Sequence, residues 1–182
     1  MKKVVLLVAP GFEEVEAVTP LDFLRRAGIE VFAAGLDHRE VTGSHGITLV
    51  CDGTLADIPG TVDGVVIPGG MPGASHIAES AEALKLIREI YDAGGLVAAI
   101  CAAPAVVLGG TGILSGRRAT CYPGFHDRLG QDVQHASDRI VRDGNIVTSQ
   151  GPGTAAEFAV EIIRYFQGDE AAQKIHAGTL QK

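Results

Sequence analysis

The sequence predicts an α/β sandwich, with a doubly wound, mostly parallel central sheet and helices on both faces. Two observations carry that prediction. Short apolar runs alternate with helical patterns along the chain, as in folds built from strand–helix–strand units. The runs themselves are nearly continuous in Val, Ile, Leu and Ala, the mark of strands covered on both faces. A third observation places the function. Three strands end in loops marked by Pro10-Gly11, Gly69-Gly70 and Cys101, and ligands of such sheets sit beyond the carboxyl ends of the strands.

The elements follow in order. Val4 to Ala9 is the first buried strand, turned by Pro10-Gly11. The lysines before it superficially suggest a signal peptide, but the run breaks early and no cleavage site follows, so a strand in a cytoplasmic protein is expected. Phe12 to Arg26 reads as a helix, with Phe12, Val15, Val18, Leu21 and Leu24 as its core stripe, and acidic and basic ends that match the macrodipole. Pro20 predicts a kink between itself and Glu16. Ile29 to Ala34 is a second strand, and Val41 to Cys51 a hairpin or edge strand. Gly64 to Ile67 is another buried strand. Ser80 caps a helix with Leu84, Ile87 and Tyr91 on one face, closed by Gly94-Gly95. Leu96 to Ile100 is a strand that stops at Cys101, and Pro104 opens a helix. Arg118 to Tyr122 reads as a short strand, and Ile140 to Val147 as a hairpin turned by Asp143-Gly144. Thr154 and Glu157 form a capping-box signature for a helix facing inward through Phe158, Ile162 and Phe166, and a short helix from Asp169 follows.

The 182 residues read as one domain, 1–182, large enough to fold without staples. A net charge of −7 without a basic block argues against direct nucleic-acid binding and against an anionic membrane surface. Three cysteines, at 51, 101 and 121, lack paired spacing and suggest free thiols in a reducing compartment. Six histidines show no metal spacing, and no phosphate-cradling glycine motif follows the first strand, so neither metal nor cofactor is expected.

Cys101 is the most informative residue. Ala99-Ile100-Cys101-Ala102-Ala103 has the small-residue flanks of the hydrolase nucleophile elbow, with sulfur in place of oxygen. A helix N-terminus beside it favours the thiolate. A buried cysteine ending a core strand reads equally well from this stretch alone. Gly69-Gly70, with the N–H of Ala102, can form an oxyanion hole facing that sulfur, or be an ordinary glycine loop. Glu16 is the acid–base candidate: it lies off the Val15 and Val18 stripe and near the predicted kink. Buried beside sulfur, it would hold its proton; as a solvated helical glutamate, it would do nothing special.

Four blocks then resemble a known family: Ala9-Pro10-Gly11-Phe12-Glu13-Glu14-Val15-Glu16, Val66-Ile67-Pro68-Gly69-Gly70, Ala98-Ala99-Ile100-Cys101-Ala102-Ala103-Pro104 and Thr148-Ser149-Gln150-Gly151-Pro152-Gly153-Thr154. In this order they are similar to the ThiJ/PfpI superfamily, in the branch of the human parkinsonism-associated deglycase and the bacterial YajL proteins. The resemblance covers essentially the whole chain. It implies a flavodoxin-like sandwich, a homodimer, Cys101 as nucleophile and Glu16 as its protonated partner. It also implies Gly70 and Ala102 as backbone donors, Gly69 in support, and Pro152 beside the dimer interface near the partner's site. Two departures matter. Ala102 stands where the protease-like branch has a histidine, which argues against a PfpI-type protease, and Tyr122 stands where the human protein has another, although Asp22, that histidine's partner, is retained. The H-x-E pair of the related glutamine amidotransferases is absent.

What the resemblance implies is a cofactor-independent enzyme acting on reactive dicarbonyls such as methylglyoxal, or on their adducts, as a glyoxalase or deglycase does. The alternative is an oxidative-stress sensor or chaperone whose Cys101 is oxidised to a sulfinate. A small-molecule binding module is a third possibility.

Overall fold

The structure, a computed structural model, describes residues 1–181. Its strands are β1 (Lys3–Val8), β2 (Glu30–Gly35), β3 (Glu40–Thr42), β4 (Thr48–Val50), β5 (Gly53–Thr54), β6 (Gly64–Ile67), β7 (Leu96–Ile100), β8 (Arg118–Ala119), β9 (Gln134–His135), β10 (Ile140–Asp143) and β11 (Ile146–Ser149). The α-helices are α1 (Glu14–Arg26), α2 (Gly73–Glu79), α3 (Ala81–Asp92), α4 (Ala155–Gln167) and α5 (Asp169–Gly178). Seven strands form the central sheet, in the order β10-β11-β7-β6-β1-β2-β5. Only β10 runs antiparallel to its neighbour. Helices α1, α4 and α5 pack together, α2 packs with α3, and the two groups cover opposite faces. The predicted flavodoxin-like sandwich is the observed fold.

Burial follows the apolar runs. All of Val4 to Ala9, Val65 to Ile67 and Leu96 to Ile100 is shielded from solvent, so β1, β6 and β7 form the dry centre of the sheet. The order of strands reverses between β1 and β6: β2 lies on one side of β1, and the later strands β6, β7 and β11 on the other. Diverging connections leave a crevice at the carboxyl ends there.

Several local expectations are corrected. Val15 and Val18 are not core; both are nearly half exposed, and the buried face of α1 is Glu14, Glu16, Ala17, Pro20, Leu21 and Leu24. A strict three-residue repeat falls short of the 3.6-residue turn and walks around the helix, while Ala17, Leu21 and Leu24 keep the i, i+4, i+7 spacing that stays on one face. Glu16 is therefore inside. Pro20 is accommodated within a helix that runs from Glu14 to Arg26. On α3, Ser80 Oγ accepts from the Ala83 N–H at 3.2 Å as expected; Ile87 is buried with Ala83 and Ile90, while Leu84 and Tyr91 are partly buried against the same core. No capping box forms at α4: Thr154 Oγ1 bonds the backbone of Gly151 and the Ser149 hydroxyl, and Glu157 pairs with Arg139 instead. The β10–β11 turn centres one residue later than predicted, on Gly144-Asn145, because Asp143 pairs with Ile146. The strand expected to reach Tyr122 ends at Ala119, and α2 was not anticipated.

Candidate active site

The elbow is real and strained. Cys101 follows β7 directly and holds φ at +65°, a left-handed conformation uncommon for a residue with a Cβ. Its backbone is held from both sides: the Cys101 N–H donates to Ser149 O at 2.9 Å, and the Tyr122 N–H donates to Cys101 O at 2.8 Å. Ala99 and Ala103, fully buried, let the chain turn. The segment after it, Pro104–Leu108, is a single wide π-type turn, not the regular helix expected.

Glycine makes room around the sulfur. A Cβ on Gly69 would lie 2.7 Å from Cys101 Cβ and 2.8 Å from Glu16 Oε2. Gly70 has φ +85°, and a Cβ there would lie 2.3 Å from the Glu13 nitrogen. The Gly69 N–H donates to Glu16 Oε2 at 2.8 Å, and the N–H groups of Gly70 and Ala102 point at the Cys101 sulfur. Glu16, Gly69, Gly70, Cys101 and Ala102 thus meet at the ends of β1, β6 and β7.

The electrostatics differ from the expectation of a depressed thiol. Burial, then the neighbouring Glu16 carboxylate, push Cys101 up to about 12, while the amides of Ala102 and Gly70 pull the other way. A five-residue turn carries little dipole, so local amides are the main source of positive potential. Burial raises Glu16 from 4.5 to about 7, opposed by hydrogen bonds from Cys101 and Gly69. Its Oε1 is buried with no hydrogen-bond partner, and the Cys101 thiol is the titratable neighbour that pulls its pKa down against burial. Two groups coupled in this way titrate as a pair.

A cavity of about 240 Å³ opens onto Cys101, floored by Gly70 and Ala102 and walled by Glu13, Met71, Tyr122, Phe125 and Pro152. Hollows of about 400 Å³ lie elsewhere, one between Lys2, Asp63 and Phe166 at the amino ends of the strands, but no cysteine lines it. Tyr122 lines the cavity, and Pro152, which the resemblance set beside the partner's site, lines the cavity of its own chain. Asp22 does not line the cavity: its carboxylate is taken by Arg26 Nε at 2.6 Å, one turn along α1. Glu13, Met71 and Phe125 were missed. Glu13 was findable, since it precedes Glu16 by three residues and so shares its side of the first turn. Cys51 and Cys121 are unpaired and more deeply buried than Cys101, and burial raises both to about 11.

A family profile fits this arrangement: the DJ-1/PfpI family matches residues 2–165. The chain belongs to the DJ-1/PfpI family. Protein dj-1beta of Drosophila melanogaster is 41% identical over 182 residues, covering 98% of this chain and 97% of its own. The glutathione-independent glyoxalase DJR-1.2 of Caenorhabditis elegans is 35% identical over 173 residues, with 94% and 91% covered. Among solved structures, oxidized DJ-1 of Toxoplasma gondii superposes with a TM-score of 0.96 at 40% identity, covering 100% of this chain and 99% of that one. Membership in the DJ-1/PfpI family agrees with the sheet order, the strained elbow and the absence, among the described residues, of any helix long and apolar enough to cross a membrane.

Proposed function

We propose that this DJ-1/PfpI protein is a cofactor-independent enzyme converting small reactive dicarbonyls, methylglyoxal foremost, to hydroxy acids, and acting on their early adducts as a deglycase. The observation that carries this reading is the Glu16–Cys101 pair, a buried acid beside a thiol at the floor of a small cavity. The glyoxalase named among the relatives supports it. In this reading the Cys101 sulfur bonds to the aldehyde carbon as its thiol proton passes to the Glu16 carboxylate. The N–H groups of Gly70 and Ala102 stabilise the oxygen that gains charge, which then takes a proton to complete a hemithioacetal. Glu16 next moves a proton from the former aldehyde carbon to its neighbour, leaving a lactoyl thioester. Water adds to that thioester, lactate leaves, and the thiol is restored. A base titrating near 7 suits these transfers at neutral pH.

The test is lactate formation from methylglyoxal in a buffer free of primary amines, comparing wild type with Cys101→Ser. Lactate that disappears in the variant supports the reading; equal lactate from both overturns it.

A second reading rests on the same burial pattern. Cys101 faces the cavity while Cys51 and Cys121 do not line it, so peroxide reaches one thiol preferentially, and protonated Glu16 can donate to the sulfinate formed. Mild peroxide should add two oxygens to Cys101 alone; equal oxidation of all three cysteines removes the sensor reading.

The acting form is a homodimer in this proposal. Val15 and Val18 on α1 and Ile47 and Val50 on the β3–β4 hairpin are exposed, and the hairpin sits against the first turn of α1 through Glu14.

A further inference from the structure

We propose that Glu13 is a specificity-determining residue of the Cys101 cavity, selecting neutral and cationic carbonyl compounds against those bearing a carboxylate or phosphate. The inference deepens the carbonyl reading above and rests on it for the word substrate. The charge selection itself is a property of the cavity.

Among the residues lining the cavity, Glu13 is the only one with a charged side chain. Met71, Phe125 and Pro152 are apolar, and among the described residues no lysine or arginine reaches the lining. Glu13 is also fixed. Its N–H donates to Gly69 O at 3.0 Å, tying its backbone to the loop beneath the sulfur. Its Oε2 accepts from Ser44 Oγ at 3.4 Å and lies 3.5 Å from His45 Nδ1. That imidazole stands closer to Glu14, at 2.9 Å, and both carboxylates raise its pKa, so it offsets part of the Glu13 charge; its two-thirds exposure lets solvent screen that offset. The field reaches the reacting pair, because the Glu13 charge helps hold the proton on Glu16.

Charge is thus arranged with opposite signs at two places. At the sulfur, the Gly70 and Ala102 amides welcome negative charge, which is where an oxygen becomes anionic during addition. At the wall, Glu13 repels negative charge carried by the rest of the molecule. A neutral dicarbonyl meets only the first. A carbonyl acid or a sugar-phosphate aldehyde meets both, and an amine adduct with a positive charge is drawn in. The same wall disfavours a hydroxy-acid anion once formed, which assists product departure.

The experiment reads charge selection without turnover. Cys101 is alkylated by iodoacetamide, which is neutral, and by iodoacetate, its anionic counterpart; in each case the sulfur displaces iodide. Peptide mass spectrometry separates Cys101 from Cys51 and Cys121. The ratio of the two rates cancels any change in thiol reactivity, since both reagents meet the same sulfur. In wild type at low salt the neutral reagent should be favoured well beyond its preference at a free thiol in solution, and the excess should shrink at high salt. Glu13→Gln should lower the ratio about fivefold or more, and Glu13→Asp should keep most of it. Wild type showing no excess over a free thiol overturns the proposal, even if the Gln variant fails to fold. So does a folded Gln variant with an unchanged ratio. Absence of lactate from methylglyoxal, with the ratio behaving as expected, would instead remove the enzymatic reading and leave the charge selection standing.

Discussion

Glu16 and Cys101 are each uncomfortable where they stand, partly because of the other. An acid and a thiol buried together can hold only one negative charge without large cost. The pH dependence follows. Burial lifts Glu16 from 4.5 to about 7, so the folded protein binds this proton more tightly than the unfolded chain does. Its stabilising contribution is full below about pH 4.5 and is lost as pH rises through about 7, by an amount on the order of 3 kcal/mol at about 1.4 kcal/mol per pH unit. Glu16→Gln keeps an oxygen for the Gly69 N–H and removes the ionisation. Its melting temperature should therefore exceed that of wild type at pH 8, with a margin that narrows towards pH 4.5; parallel melting curves at both pH values would contradict this. In the same variant, methylglyoxal turnover should fall by at least about a hundredfold. In wild type, kcat/KM should climb with pH through about 7, and steady-state profiles should show that limb vanish in the Gln variant.

At the scale of elements, two connections hold the site. The first is the Gly69-Gly70 turn, where Gly70→Ala would force a Cβ to within 2.3 Å of a backbone nitrogen at a left-handed φ. The expected loss is on the order of 3 kcal/mol or more, read from urea unfolding. The second is the hairpin anchor. Glu14 is buried, which alone would raise its pKa, yet hydrogen bonds from the His45 ring and the amides of His45 and Ile47 hold it at about 2. Glu14→Gln should cost about 1–3 kcal/mol and speed hydrogen exchange at the His45 and Ile47 amides before the central strands respond. These elements also show what a sequence can and cannot express. The apolar runs of β1, β6 and β7 identified themselves, because continuous burial leaves a continuous pattern. The α1 face was misassigned because a carboxyl replaced an apolar residue inside it: Glu16 breaks the hydrophobic signal at the position where chemistry needs it. Helix α2 is only seven residues long, with Ala74 and Ile77 as its buried apolar pair, too short a period to stand out.

The whole molecule adds what no local pattern contains. That the loops after β1, β6 and β7 converge is a matter of strand order, and only the adjacency of those three strands turns Glu16, Gly69-Gly70 and Cys101 into one site. The Cys101 elbow was legible because its small neighbours are consecutive; the Glu13 wall and the vacancy of Asp22 from it depend on distances set by the fold. Assembly belongs to this scale too. Placing a charge on the exposed α1 face, as in Val15→Asp with Val18→Asp, should convert the proposed dimer to a monomer in sedimentation velocity while leaving the circular dichroism of the domain intact. An undiminished dimer would move the interface elsewhere. The position of β7 inside the sheet, with β6 on one side and β11 on the other, has a last consequence. A nascent chain that has not yet emitted residue 96 carries Glu16 and the Gly69-Gly70 turn without the Cys101 sulfur, and a heat-softened chain carries that sulfur with no carboxylate beside it. Neither shows the unusual thiol. Cys101 behaves as itself only when β7 has been clasped by β6 on one flank and β11 on the other, so the chemical personality of one atom reports that the centre of the sheet has closed.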